Sequence, residues 1–147
     1  MTTNHLKRIA VPRTWKLERK ENRYITRAYP GAHASEHAMA LSVVMRNLIK
    51  CVKTRKEVKY TLATTEVLLD GNRVHDDKVP VGVMDVITFN KLNQSYRIVL
   101  DSRGHIKIIE IKGDEVGKKP SKIAGKTILK GKKIQLVSLY RFYASGH

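Results

Sequence analysis

Residues 41–89 constrain the fold more than any other part of the chain. Apolar side chains recur at helical spacing at Leu41, Val44, Met45, Leu48 and Val52, so one face of that run must be covered by other elements. Thr54-Arg55-Lys56-Glu57 then supplies a capping-box start signal, in which two side chains satisfy backbone amides at a helix N-terminus. Val58 and Leu62 fall on one face of this second helix, and Arg55 and Lys59 on another with Lys56 beside them. Glu66-Val67-Leu68-Leu69, the turn Asp70-Gly71-Asn72, and Arg73-Val74 read as a hairpin, because glycine and asparagine accept the positive φ that a tight turn needs. Two helices and a hairpin in succession predict an α+β unit.

The charge distribution says what such a unit meets. The 147 residues carry 29 Lys and Arg against 13 Asp and Glu, a net charge of +16. A field of that sign favours a polyanion, and nucleic acid is the commonest one. Residues 1–30 hold 8 basic and 2 acidic residues, residues 112–133 again 8 and 2, and residues 31–111 hold 12 and 9. The excess therefore sits in two arms around a balanced body. Hydrophobic content of 41% excludes a wholly disordered basic tail. No apolar run approaches the roughly 20 residues of a spanning helix, and the first residues lack a signal-peptide core. Cys51, the single cysteine, excludes an internal disulfide and a cysteine-rich zinc site; its expected role is packing at a helix end, in a cytoplasmic setting.

Taken in order, the N-terminal segment reads as an extended arm with Pro12 and no helical period. Lys16, Arg19, Lys20, Arg23 and Arg27 interleave with Trp15, Tyr24 and Tyr29, a pattern suited to phosphate contacts and base stacking. Pro30-Gly31 marks a turn, and Ser35 with Glu36 is the expected start of the first helix. Residues 84–89, 96–100 and 105–111 read as strands, residues 101–104 as a turn, and residues 112–133 as a Lys/Gly-rich loop region with a short strand near Ile128. Residues 134–137 could close a small sheet.

Two motif matches fail on context. His33-Ala34-Ser35-Glu36-His37 fits H-x-x-E-H, but that zinc pattern needs both histidines on one helical face, and the turn upstream leaves His33 outside the helix. Gly125-Lys126-Thr127 matches the end of a phosphate-binding loop, yet Pro120 stands where the first glycine is required. No nucleophile–base constellation is visible, so the expectation is a non-enzyme with no catalytic residues, no metal and no cofactor.

His5-Leu6-Lys7-Arg8 with Pro12 and Trp15, Pro30-Gly31-Ala32-His33, Arg46-Asn47-Leu48, Asp70-Gly71, residues 80–87, Tyr96-Arg97, residues 101–104 and residues 133–136 occur in an order that resembles the e-type small-subunit ribosomal protein number four of archaea and eukaryotes. The resemblance covers residues 5–136. It implies a structural ribosomal protein that binds ribosomal RNA, with an S4-type RNA-binding module of two helices and a β hairpin, then a small central β domain. A KOW barrel follows in the family, so a short form lacking it is the expectation. Thr65-Glu66 departs from the glycine and basic residue usual before the hairpin, and Asn72-Arg73-Val74 shifts the basic residue by one position, to the other side of the strand.

The resulting expectation is an α+β chain with four parts: a basic N-terminal arm (1–35), an S4-type module (36–90), a central β domain (91–137) and a tail (138–147). The expected RNA contacts are His5, Lys7, Arg8, Arg13, Trp15, Lys16, Arg19, Lys20, Arg23, Arg27 and His33 from the arm. Arg46, Lys50, Lys53, Arg55, Lys56, Lys59, Arg73 and Lys78 follow from the module, and Lys118, Lys119 and Lys122 from the second basic stretch. The expected partners are small-subunit ribosomal RNA and neighbouring small-subunit proteins, with no membrane and no small-molecule substrate. The site would be the cytoplasmic ribosome. An RNA-binding factor outside the ribosome, or a fragment of an S4-module RNA-modifying enzyme, is the alternative.

Overall fold

The computed structural model describes residues 5–120, 122–131 and 133–138. It is a mixed α/β fold with few helices and several small sheets. The longest sheet has five antiparallel strands in the order β5-β4-β7-β8-β9, made of Asn72–Arg73, Val67–Leu69, Val86–Phe89, Gln94–Leu100 and Ile106–Ile111. Two-stranded sheets pair β1 (Leu6–Lys7) with β2 (Tyr24–Ile25), β3 (Ala38–Ala40) with β6 (Pro80–Gly82), and β10 (Ile123–Ile128) with β11 (Ile134–Ser138).

The hairpin between β4 and β5 forms as its turn chemistry requires. Leu69 pairs with Asn72, and the two loop residues Asp70 and Gly71 have φ of 49° and 82°. Both central residues in the left-handed region match the twist of the flanking strands. The capping box is also present: the Glu57 amide donates to Thr54 Oγ1 at 3.2 Å, and Glu57 Oε2 accepts from the amides of Lys53 and Thr54 at 2.8 and 3.4 Å. It starts α2 (Arg55–Thr64), whose Val58 and Leu62 are fully buried.

The first helix differs from its expected form. It begins at Leu41, not near Ser35, because residues 38–40 are taken by β3. Three α-helical residues, α1 (Leu41–Val43), pass into a π-helical run at Val44–Ile49 that ends on Lys50 in the left-handed region. No side chain caps it. The leading amides of Leu41 and Ser42 donate instead to the carbonyls of Val79 and Asp77, at 2.9 and 3.0 Å, so the loop before β6 does the work of a cap.

The N-terminal segment is packed rather than extended over the surface. Val11 and Trp15 join a core built on Met39, Leu41, Met45, Leu62, Ile87 and Ile98. Arg8 is 2% exposed; its Nε donates to the Glu18 carbonyl and its Nη2 pairs with Glu21, both at 2.5 Å. The segment is also pinned to the start of β9, where the Ile106 amide donates to the Thr14 carbonyl at 2.8 Å. The boundary expected at residue 90 falls inside the five-stranded sheet: β7 pairs with β8 from Val86↔Arg97 to Phe89↔Gln94. Within the second basic stretch a short helix, α3 (Gly113–Val116), precedes β10. Arg97 holds that region by donating to the carbonyls of Glu115 and Lys118 at 2.8 and 2.5 Å. Residues 139–147 of the expected tail lie outside the described residues.

Candidate nucleic-acid interface

Four elements converge on one open cavity of about 430 Å³. The arm contributes His5, Leu6, Tyr24, Ile25, Thr26 and Arg27; the first helix contributes Arg46, α2 contributes Arg55, and the loop before β6 contributes Lys78. These residues span more than seventy positions, and the pairing of β1 with β2 and the backbone cap on the first helix are what bring them together.

Local contacts set the orientation of Arg46, Arg55 and Lys78. Arg46 donates from Nε to the Lys53 carbonyl at 3.2 Å. Arg55 donates to both carboxylate oxygens of the buried Asp77, at 2.5 and 3.2 Å. That hydrogen bond raises the Arg55 pKa further; burial pushes the Asp77 carboxyl up, but the Arg55 bond and charge and the charge of Lys59 outweigh it and hold it low. The Lys78 ammonium lies 5.2 Å from the centre of the Tyr29 ring, and the Tyr29 amide donates to the Lys78 carbonyl at 2.9 Å. Above the arm strands, the His5 and Tyr24 rings lie 5.6 Å apart and the Arg23 guanidinium 5.3 Å from the Tyr24 centre.

The other expected contacts separate into two groups. Lys7, Arg13, Lys16, Arg19, Lys20, Lys50, Lys53, Lys56, Lys59, Arg73, Lys118 and Lys122 are exposed. Arg8, Trp15, His33 and Lys119 are instead inside. Arg8 and Trp15 are 2% and 4% exposed, and the side chains of His33 and Lys119 are each 8% exposed. Lys119 bridges Asp70 and Asp85, with Nζ 2.5 Å from each, and His33 Nε2 stands 3.0 Å from Asp85. Asp85 also accepts from the Gly82 amide at 2.7 Å, and Asp70 from the Val86 amide at 2.9 Å. The buried Asp85 carboxylate beside the half-buried Asp70 needs a cation, which draws the Lys119 ammonium in from the surface. Sequence reasoning did not select Tyr24, Thr26 or Asp77 as part of the site. An aromatic among arm cations was the signal for Tyr24; Asp77 gave none, because its partner is 22 residues away. The H-x-x-E-H segment is not helical, and the described residues hold no group of three His, Cys, Asp or Glu side chains able to bind a metal. No described helix is long and apolar enough to cross a membrane.

Comparison with known proteins puts this arrangement among the ribosomal proteins. Residues 2–36 match the RS4NT (NUC023) domain, and residues 92–139 match the ribosomal family S4e. A small ribosomal subunit protein eS4 from Natronomonas pharaonis is 40% identical over 134 residues, which is 91% of this chain and 56% of that protein. Its counterpart from Methanocella arvoryzae is 39% identical over 136 residues, 92% of this chain and 57% of the relative. The crystal structure of the 30S ribosomal protein S4e from Thermoplasma acidophilum superposes with a TM-score of 0.54 at 30% identity, covering 69% of this chain and 52% of that one. The chain belongs to the S4e family of ribosomal proteins. It spans about half the length of the curated relatives it matches.

Proposed function

We propose that this chain is a non-catalytic constituent of the small ribosomal subunit that binds ribosomal RNA directly. The observation that carries the reading is the convergence of Arg27, Arg46, Arg55 and Lys78 on one cavity from the arm, both helices and a loop. In this reading residues 36–90 act as an S4-type module, residues 1–35 as a basic arm, residues 91–137 as a central β region and residues 138–147 as a tail. Family membership supports it, since the relatives named above are small-subunit proteins. The A-form helices of folded RNA present phosphates and a shallow minor groove, so their recognition is by shape and charge neutralisation rather than base reading. Arginine suits bidentate phosphate contact, and lysine diffuse neutralisation. Neighbouring small-subunit proteins are the remaining partners.

Sedimentation tests the reading. Comigration with small subunits through a salt wash is the expected outcome, and recovery only at the top of the gradient would refute it, leaving a factor outside the ribosome. In binding titrations, changing Arg46, Lys56 and Lys59 to Ala lowers the salt slope by about 0.7–0.9 for each phosphate that is no longer neutralised. An unchanged slope in the folded variant would remove those three from the interface.

A further inference from the structure

The cavity between the arm and the helices has two kinds of wall. Leu6, Tyr24 and Ile25 of the paired arm strands line it together with Arg27, Arg46 and Lys78. Its volume of about 430 Å³ lies within the roughly 300–1,000 Å³ of clefts that enclose a small ligand. A flat patch of cations would serve a duplex exterior; a concavity walled partly by apolar groups serves something that enters. The Tyr24 ring lies 5.6 Å from His5, tilted at 60° to it, with the Arg23 guanidinium 5.3 Å from its centre, the kind of aromatic and cationic surface on which an unstacked base rests. Arg55 is tied to Asp77, so anion recognition here falls to the Arg46 and Lys78 side of the cavity.

We propose that this cavity receives a single unpaired nucleotide of the RNA, its base against the Tyr24 ring and its phosphate toward Arg46 and Lys78. The inference rests on the RNA-binding reading above and adds that the contact selects an unpaired base. The full chain is titrated by fluorescence anisotropy with a single-stranded RNA oligomer, its abasic counterpart of equal length, and an RNA duplex. The oligomer with bases is expected to bind roughly 5- to 150-fold tighter than the abasic one. Tyr24→Ala should abolish that ratio while Tyr24→Phe keeps it, and circular dichroism confirms that each variant is folded. Equal binding of the two single strands, or a ratio that survives Tyr24→Ala, overturns the proposal while leaving general RNA binding intact. Binding to none of the three overturns both readings. Saturation by a free nucleoside monophosphate at micromolar concentration overturns the RNA-borne source in favour of a free nucleotide.

Discussion

Asp85→Asn probes the network under β6 and β7 with almost no change of shape. Asp85 is 3% exposed and receives the Lys119 ammonium at 2.5 Å, the His33 imidazole at 3.0 Å and the Gly82 amide at 2.7 Å. Neutralising it leaves Lys119 inside with Asp70 alone and turns one acceptor into a donor facing donors. Breaking a buried pair in this way costs about 3–5 kcal/mol. For a domain of this length that is a fall of roughly 10–20 °C in Tm. Burial pushes the Asp85 pKa up, but the His33, Lys119 and Gly82 hydrogen bonds and the Lys119 charge outweigh it, so the group sits below its ordinary value of 3.8. A carboxylate lowered on folding contributes stability that is present above its unfolded pKa and is lost as pH falls through the folded one. The gap between wild type and Asp85→Asn should therefore be full near about pH 7 and narrow once pH drops below about 4. Denaturant melts of both proteins across that range measure it. A Tm within about 2 °C of wild type at neutral pH, or a gap that widens on acidification, would refute the reasoning.

Trp15→Ala should lose about 3–5 kcal/mol by opening a hole in the core. Trp15→Phe should lose less, since the buried indole N–H has no hydrogen-bond partner; urea melts followed by far-ultraviolet circular dichroism compare the two. Gly82→Ala places a methyl group into the His33 ring, and the expected loss is about 1–3 kcal/mol by the same melts. Thr54→Ala removes the cap of α2 and should cost about 1 kcal/mol, with hydrogen exchange accelerated at the α2 N-terminal amides more than elsewhere.

What was legible in the sequence depended on how far each determinant lay from its consequence. The turn at Asp70-Gly71 and the Thr54/Glu57 box are complete within four residues, and both formed as expected. Alternation in residues 96–111 gave β8 and β9 to within two residues. The start of the first helix was misplaced because its cap is a pair of carbonyls from Asp77 and Val79, which no local pattern announces. For the site, charge alone could not separate Arg8 from Lys7. The difference is a carboxylate 13 residues on, which pulls one cation inside and leaves its neighbour in water. Lys119 was harder still, since its two acids lie 49 and 34 residues away.

The bonds between the N-terminal segment and the start of β9 set an order of events during synthesis. Ile106 closes on Thr14, and His105 Nδ1 lies 3.1 Å from the Arg13 carbonyl, 92 positions earlier. Chains grow at about 5–20 residues per second, so the arm waits roughly 5–20 s for that partner to be made. During the wait Trp15 has no finished core to enter, and the cations of residues 1–30 emerge ahead of the scaffold that later aims them. The arm, made 92 residues before its partner, is thus among the last segments to settle, and its charge is unsheltered until residues 105 and 106 have been made.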